Sequence, residues 1–350
     1  MRHTLSLLLV SFVAGCSSQT PQPAADKLVT HAVPAKAETQ PVATLDDAAD
    51  DPAIWRNAAD PAKSLVIGTD KRAGIHVYDL AGKQVSFTPS ARLNNVDLRN
   101  DVMLGGSKAV LVAASDRADD ANAKIALFRL DTADGKLVPL ATLPVGPGEA
   151  YGMCLWQRAS DSALFAFLVL KDGRIDQLQL DLSGAVPAAK VVRQMKLATQ
   201  SEGCVADDRT GILYVAEEDA GVWTFAADPD GSTEAKSFAK VDKNQLFDDA
   251  EGLAIAPHGA SGGYLVVSSQ GDNAYTLYAL SDARFVGRFR IGGGSIDGTY
   301  ETDGIELLLG DFGPDYPAGL FVAQDGDNSP DAQNFKYASW SDVVSALKLQ

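Results

Sequence analysis

At 350 residues the chain is long enough for one large domain or two smaller ones, and 46% hydrophobic residues supply ample core material. With 30 Lys and Arg against 46 Asp and Glu, the formal charge of −16 excludes a nucleic-acid or anionic-membrane surface, both of which need basic patches. An anionic small molecule stays admissible, but only through local Lys/Arg clusters or bound cations.

Arg2 and the apolar run Leu5 to Val13 have the make-up of an export signal, and the run is too short to span a bilayer. Val13-Ala14-Gly15-Cys16 resembles a bacterial lipobox, which would make Cys16 the lipidated first residue of the mature chain. Ordinary cleavage near Ala14 is the alternative, and both readings imply export. Ser17 rather than Asp after the cysteine directs the expectation to the outer membrane. Residues 17–45, rich in Pro, Ala, Thr and Gln, read as a flexible tether, so the folded body is expected over 46–350. Cys154 and Cys204 remain; in an oxidising compartment they can pair, and two small buried residues are the other reading.

The body opens on Asp46-Asp47-Ala48-Ala49-Asp50-Asp51-Pro52-Ala53-Ile54-Trp55, four carboxylates within six residues before a strand start. Like charges that close repel, so the residues splay into water or gather a cation. An apolar strand entry led by an acid or polar residue then recurs, with lead residues Asp51, Asp97, Tyr151, Glu202, Glu251 and Asp303 at separations of 46, 54, 51, 49 and 52. Each is followed by a second apolar run with a polar end, such as Leu65 to Asp70 or Ile212 to Asp219, and usually by an alternating third such as Ile175 to Leu180. Helical signal is slight, with one short terminal helix expected over Ser341 to Leu349. The period predicts an all-β protein, a six-bladed β-propeller with four-stranded antiparallel blades whose first strands are innermost. A pair of β-sandwiches fits the even spacing less well.

In that arrangement the first strands start, and the second strands end, at one mouth of the central channel. Asp51, Asp97, Glu202, Glu251 and Asp303 would converge there, with Glu217 and Asp249 nearby. Hard oxygen ligands in that number suit Ca²⁺, although Asp and Gly also lead strands for local turn reasons. Lys71, Arg72, Arg117 and Lys171 leave successive second strands into the same acidic mouth, either as salt-bridge partners or as ligands of a polyphosphorylated anion. No Gly-x-Ser-x-Gly elbow, P-loop or His-rich zinc spacing is present.

Over residues 46–340 the chain resembles the β-propeller phytases. The resemblance is carried by Asp47 to Trp55, Asn94-Asn95-Val96-Asp97-Leu98-Arg99, Ala216-Glu217-Glu218-Asp219, Asp249-Ala250-Glu251-Gly252-Leu253, Ser268-Ser269-Gln270-Gly271, Asp297-Gly298-Thr299, Thr302-Asp303-Gly304-Ile305 and Gly319 to Gly326. It implies calcium-dependent hydrolysis of phytate, inositol hexakisphosphate, with inorganic phosphate as product; a monomer touching membrane only through its lipid is the separate expectation. It further implies calcium ligands or their water shell at Asp51, Tyr151, Glu202, Glu217, Asp249, Glu251, Gln270, Asp297 and Asp303. Lys71, Arg117 and Lys171 would hold phosphates, with Arg72 and Asp172 as further contacts, and Glu202 and Glu217 would hold or deprotonate a water. Departures are Asn100, where an aromatic is common, and Asp172, where Glu is usual. A calcium-dependent lactonase of the same ring, or a propeller using calcium only as a structural pin, would not need the three phosphate-holding cations.

Overall fold

The computed structural model describes residues 28–349. The expected export segment and Cys16 lie outside them. Six sheets of antiparallel strands make six blades, with inner strands Ala49–Trp55, Leu93–Leu104, Ala150–Gln157, Ser201–Asp207, Ala250–His258 and Ile305–Leu309. Each inner strand lies against that of the next blade, and the sixth lies against the first. The predicted six-bladed propeller is the observed fold.

Strand alternation explains why the ring holds. Residues pointing to opposite faces of one blade enter the two cores it shares with its neighbours. Ala53 and Trp55 pack into the core between blades 1 and 2, whereas Ile54 packs into the core between blades 6 and 1. Apolar clusters fill all six inter-blade spaces in this way. Cys154 and Cys204 obey the same rule. They pair with Phe167 and Val215 at register positions one apart, so they face each other across blades 3 and 4. Their Cα atoms are 5.7 Å apart and they form a disulfide.

The tether expected over 17–45 is corrected at its C-terminal end. Strand β1 (Thr30–Val33) adds parallel to the outer strand Phe285–Ile291 of blade 5. Strand β2 (Ala35–Glu38) pairs with Asn334–Ser339 and supplies the fourth strand of blade 6, so the N-terminal segment closes the ring. Val33 and Ala35 are buried between blades 5 and 6. These edge strands are four residues each, half-exposed and interrupted by Pro34, which leaves too little alternation to read as strand. The expected terminal helix is Trp340–Leu347, seated on blades 5 and 6. Among the described residues no helix is long and apolar enough to cross a membrane.

Candidate active site

Five of the six inner strands enter the channel mouth through a register shift. Ala49 pairs with Asp70 and Pro52 with Gly68, and the same step recurs between Leu93 and Val96, Ala150 and Met153, Ser201 and Cys204, and Ala250 and Leu253. The two residues inside each shift therefore occupy equivalent places in successive blades. The first set is Asp50, Asn94, Tyr151, Glu202 and Glu251, joined in blade 6 by Asp303. The second is Asp51, Asn95, Gly152, Gly203, Gly252 and Gly304. Glycine recurs in the second set because neighbouring inner strands nearly touch there. A Cβ on Gly152 would lie 1.8 Å from the Glu202 carbonyl oxygen, and one on Gly203 2.2 Å from that of Glu251.

Two predicted mouth acids are thereby relocated. Asp51 stands in the glycine set, buried, with its Oδ2 accepting from the Val96 amide at 2.9 Å. Burial, then Asp50, Glu306 and Glu202, pushes its carboxyl well above the usual range. Asp97 lies further along its strand, below the mouth, ion-paired to Arg99 at 2.9 Å and accepting from the Leu155 amide at 2.8 Å. Asp50 and Asn94 take the places expected of them. The lead-residue alignment failed because an acid next to the shifted position is indistinguishable in sequence from one at it.

A second ring comes from the residues just past the second strands: Lys71, Arg117, Lys171, Glu218 and Gln270. Register puts Glu217 one position too early. Its carboxylate is buried, with Oε1 accepting from the Thr199 amide and hydroxyl at 2.7 and 2.8 Å and Oε2 from Trp223 Nε1 at 2.7 Å. It anchors a loop and does not face the mouth. Glu218 does, and its Oε1 has no hydrogen-bond partner. Counting from strand ends across blades, rather than picking the first acid, identifies it.

The mouth is electrically divided. Blades 1 to 3 contribute Lys71, Arg117 and Lys171, together with the acids Asp47, Asp50 and Glu149 that pair with the first two. Blades 4 to 6 contribute Glu202, Glu218, Glu251, Asp249 and Asp303. Tyr151 stands at the boundary, with Lys171 Nζ 5.2 Å and the Arg117 guanidinium 4.9 Å from its ring centroid. Lys71 is ion-paired to Asp47, Asp50 and Asp303 at 2.7, 3.0 and 3.2 Å. Arg117 donates to Asn94 Oδ1 at 2.7 Å and is paired with Glu149. Lys171 has no carboxylate within 4.0 Å among the described residues. An open cavity of about 760 Å³ lies at the mouth, lined by Lys71, Tyr151, Glu218, Glu251 and Asp303 among others.

Carboxylate oxygens of Glu202, Glu218 and Glu251 all lie within 4.8 Å of one another. Burial chiefly, and then the neighbouring acids Asp50, Asp303 and each other, raises Glu202 and Glu251 well above the carboxylate range. Glu218 is raised too, again first by burial. Glu251 Oε2, like Glu218 Oε1, is buried without a partner. Such a cluster stays ionised only beside a cation, and its all-oxygen donors are those of a hard divalent ion. Asn94, fully buried, ties the halves together: its amide accepts from Arg117 and donates to Glu202 Oε1 at 2.7 Å. Gln270 donates to Asp303 Oδ1 at 2.7 Å, and burial raises the Asp303 carboxyl to about 7.

Three other predicted residues stand apart. Arg72 is exposed on the rim, donating to the Asp47 carbonyl oxygen at 2.8 Å. Asp172 turns to Lys196 at 3.4 Å and caps its own turn through the Arg174 amide. Asp297 is paired with Lys336 at 2.6 Å, away from the acidic triad.

A sequence model of a family described as Phytase matches residues 2–350. A 3-phytase of Bacillus subtilis (strain 168) is 42% identical over 328 residues, covering 90% of this chain and 85% of that protein. Among solved structures, an α-L-arabinofuranosidase from Fusarium graminearum superposes with a TM-score of 0.54 at 12% identity, covering 89% of this chain and 99% of that one. An aldose sugar dehydrogenase from Streptomyces coelicolor gives 0.51 at 14% identity, covering 88% and 99%. At such identities the structural likeness extends to the fold alone.

Proposed function

The chain belongs to the phytase family and hydrolyses phosphate monoesters of phytate; we propose that it does so at the channel mouth, with calcium in the acidic half and substrate phosphates in the basic half. The observation that carries this reading is the meeting, around Tyr151 at one mouth, of the cations Lys71, Arg117 and Lys171 with the carboxylate triad of Glu202, Glu218 and Glu251. The residues fit the metal, because three buried carboxylates, two of them with an unpartnered oxygen, are a hard-ligand set lacking its counter-charge.

Bound calcium would neutralise adjacent phosphates and lower the pKa of a nearby water. Lys171, with no carboxylate within 4.0 Å among the described residues, is the phosphate ligand left without an ion pair. Arg117 is aimed by Asn94 and by Glu149, and the Tyr151 ring spaces the two cations. Together they would stabilise charge on the oxygens of the transferring phosphoryl group. Lys71, held among three acids, supplies counter-charge to Asp50 and Asp303 between the halves. Glu202, fixed by Asn94, is the carboxylate we assign to orient the attacking water and accept its proton. Glu218 takes the place in this scheme that Glu217 held in the sequence reading. Phosphate release from phytate should fall by about 100-fold or more after chelation and return on adding calcium. Turnover indifferent to chelation would refute the calcium part, and no release under either condition would refute the whole.

We also propose that Cys16 carries a lipid that holds the protein at the outer membrane, on the strength of Val13-Ala14-Gly15-Cys16. Cys16→Ala should move the protein from the membrane to the soluble fraction with its specific activity unchanged. An unaltered membrane fraction would count against lipidation.

A further inference from the structure

Lys336 has no exposed surface. It lies in the third strand of blade 6, Asn334–Ser339, whose residues are all buried. Its Nζ donates to Glu38 Oε2 at 2.5 Å, Asp297 Oδ1 at 2.6 Å and Asn328 Oδ1 at 3.3 Å, and is ion-paired with Asp325 Oδ2 at 3.3 Å. The three N–H groups of an ammonium are thus all used, and the fourth oxygen, on fully buried Asp325, accepts no hydrogen bond. The partners come from four separate segments. Glu38 is directly across from Lys336 on the ring-closing strand β2, and Asp297 is in the connection between blades 5 and 6. Asp325 ends the second strand of blade 6, and Asn328 belongs to the loop that walls the active cavity.

Three carboxylates and an amide oxygen converging on one point are the ligand chemistry of calcium. Here that point is filled by the chain's own cation, and an ammonium and a divalent ion cannot share it. We infer that Lys336 is the resident cation of this cage, so that Asp297 is no calcium ligand and the ring is locked through Glu38 without metal. A buried charge is tolerated only when paired, which is why a lysine in an otherwise apolar strand needs this whole set of partners. Calcium then has no part in this lock: activity responds to the ion while the N-terminal strand stays closed in its absence. The inference rests on the cage geometry and not on what the mouth binds.

The test is calcium counting by equilibrium dialysis of chelator-stripped protein against calcium chloride, with melting curves in chelator and in calcium. Asp297→Asn keeps an oxygen for Lys336 and should bind as many calcium ions as the parent, with the same calcium-dependent melting shift. Lys336→Met leaves the carboxylates facing one another. It should melt at least about 5 °C lower than the parent in chelator, bind one calcium more, and recover on adding calcium. A count lower by one in Asp297→Asn overturns the inference, as does a folded Lys336→Met that gains no ion. If Lys336→Met does not fold, the count in Asp297→Asn decides alone. A parent that binds no calcium would refute the reading of the mouth, while the differences between parent and variants still decide this one.

Discussion

Lys171→Ala should lose phytate turnover by about 10²-fold or more while keeping the whole of the calcium-dependent melting shift. The first half follows from its position as the mouth cation with no carboxylate partner among the described residues, since removing one donor to a developing phosphoryl charge typically costs that much. The second half follows because its nearest marked contact is the Tyr151 ring rather than an acid. Glu251→Gln should behave in the opposite way. It removes one member of the triad and one unpartnered oxygen, so the calcium-dependent shift should disappear along with turnover. Ions bound only by the native state add roughly 2.7 kcal/mol at a hundredfold excess over Kd, well within reach of a melting curve. A Lys171→Ala enzyme with parental turnover, or a Glu251→Gln protein with the parental calcium shift, would show that the mouth is wrongly divided.

The calcium-free protein should lose stability as pH rises from about 4 to 8. Burial first, then Asp50 and Asp47, raises the Asp303 carboxyl to about 7 in the fold from 3.8 in the open chain. Glu306, below the mouth, is raised to about 8 from 4.5 by burial and by Asp97. Between the unfolded and folded values the native state holds protons that the unfolded chain has released, so stability falls with rising pH and levels off above the folded pKa. A displacement of that size is worth of the order of 4 kcal/mol per group. In chelator this should lower the melting temperature by about 5–10 °C between pH 5 and 8. Calcium should remove much of the mouth's share, since the cation stands in for the protons, but leave the share of Glu306. Glu306→Gln should flatten the remaining slope, which separates it from the general self-repulsion of a chain with a charge of −16. A chelated protein that melts at one temperature throughout this range would mean these carboxyls are not held protonated.

The number of blades, their order and the face of the ring where these acids and cations gather are written in the chain as a repeat. Strand alternation and turn chemistry act over a few residues, so a period near 50 is legible without any knowledge of contacts. Lys71, Arg117, Lys171, Glu202, Glu251 and Asp303 were legible for the same reason, each marking one strand end at the mouth. What tertiary structure decided is which of two adjacent acids faces that mouth. Asp50 rather than Asp51 is chosen by the register shift of the inner strand, and Glu218 rather than Glu217 by where the second strand of blade 4 ends. Successive strand residues point to opposite faces, so an error of one position moves a carboxylate from the channel to a loop anchor, as the Thr199 and Trp223 bonds of Glu217 show. Ring closure was hidden for a related reason. Strands β1 and β2 find their partners some 250 to 300 residues away, and only that pairing gives short, half-exposed segments an ordered place. The same distance separates Glu38 from Lys336, which is why sequence could assign Asp297 to a metal and only the closed ring could give it a lysine.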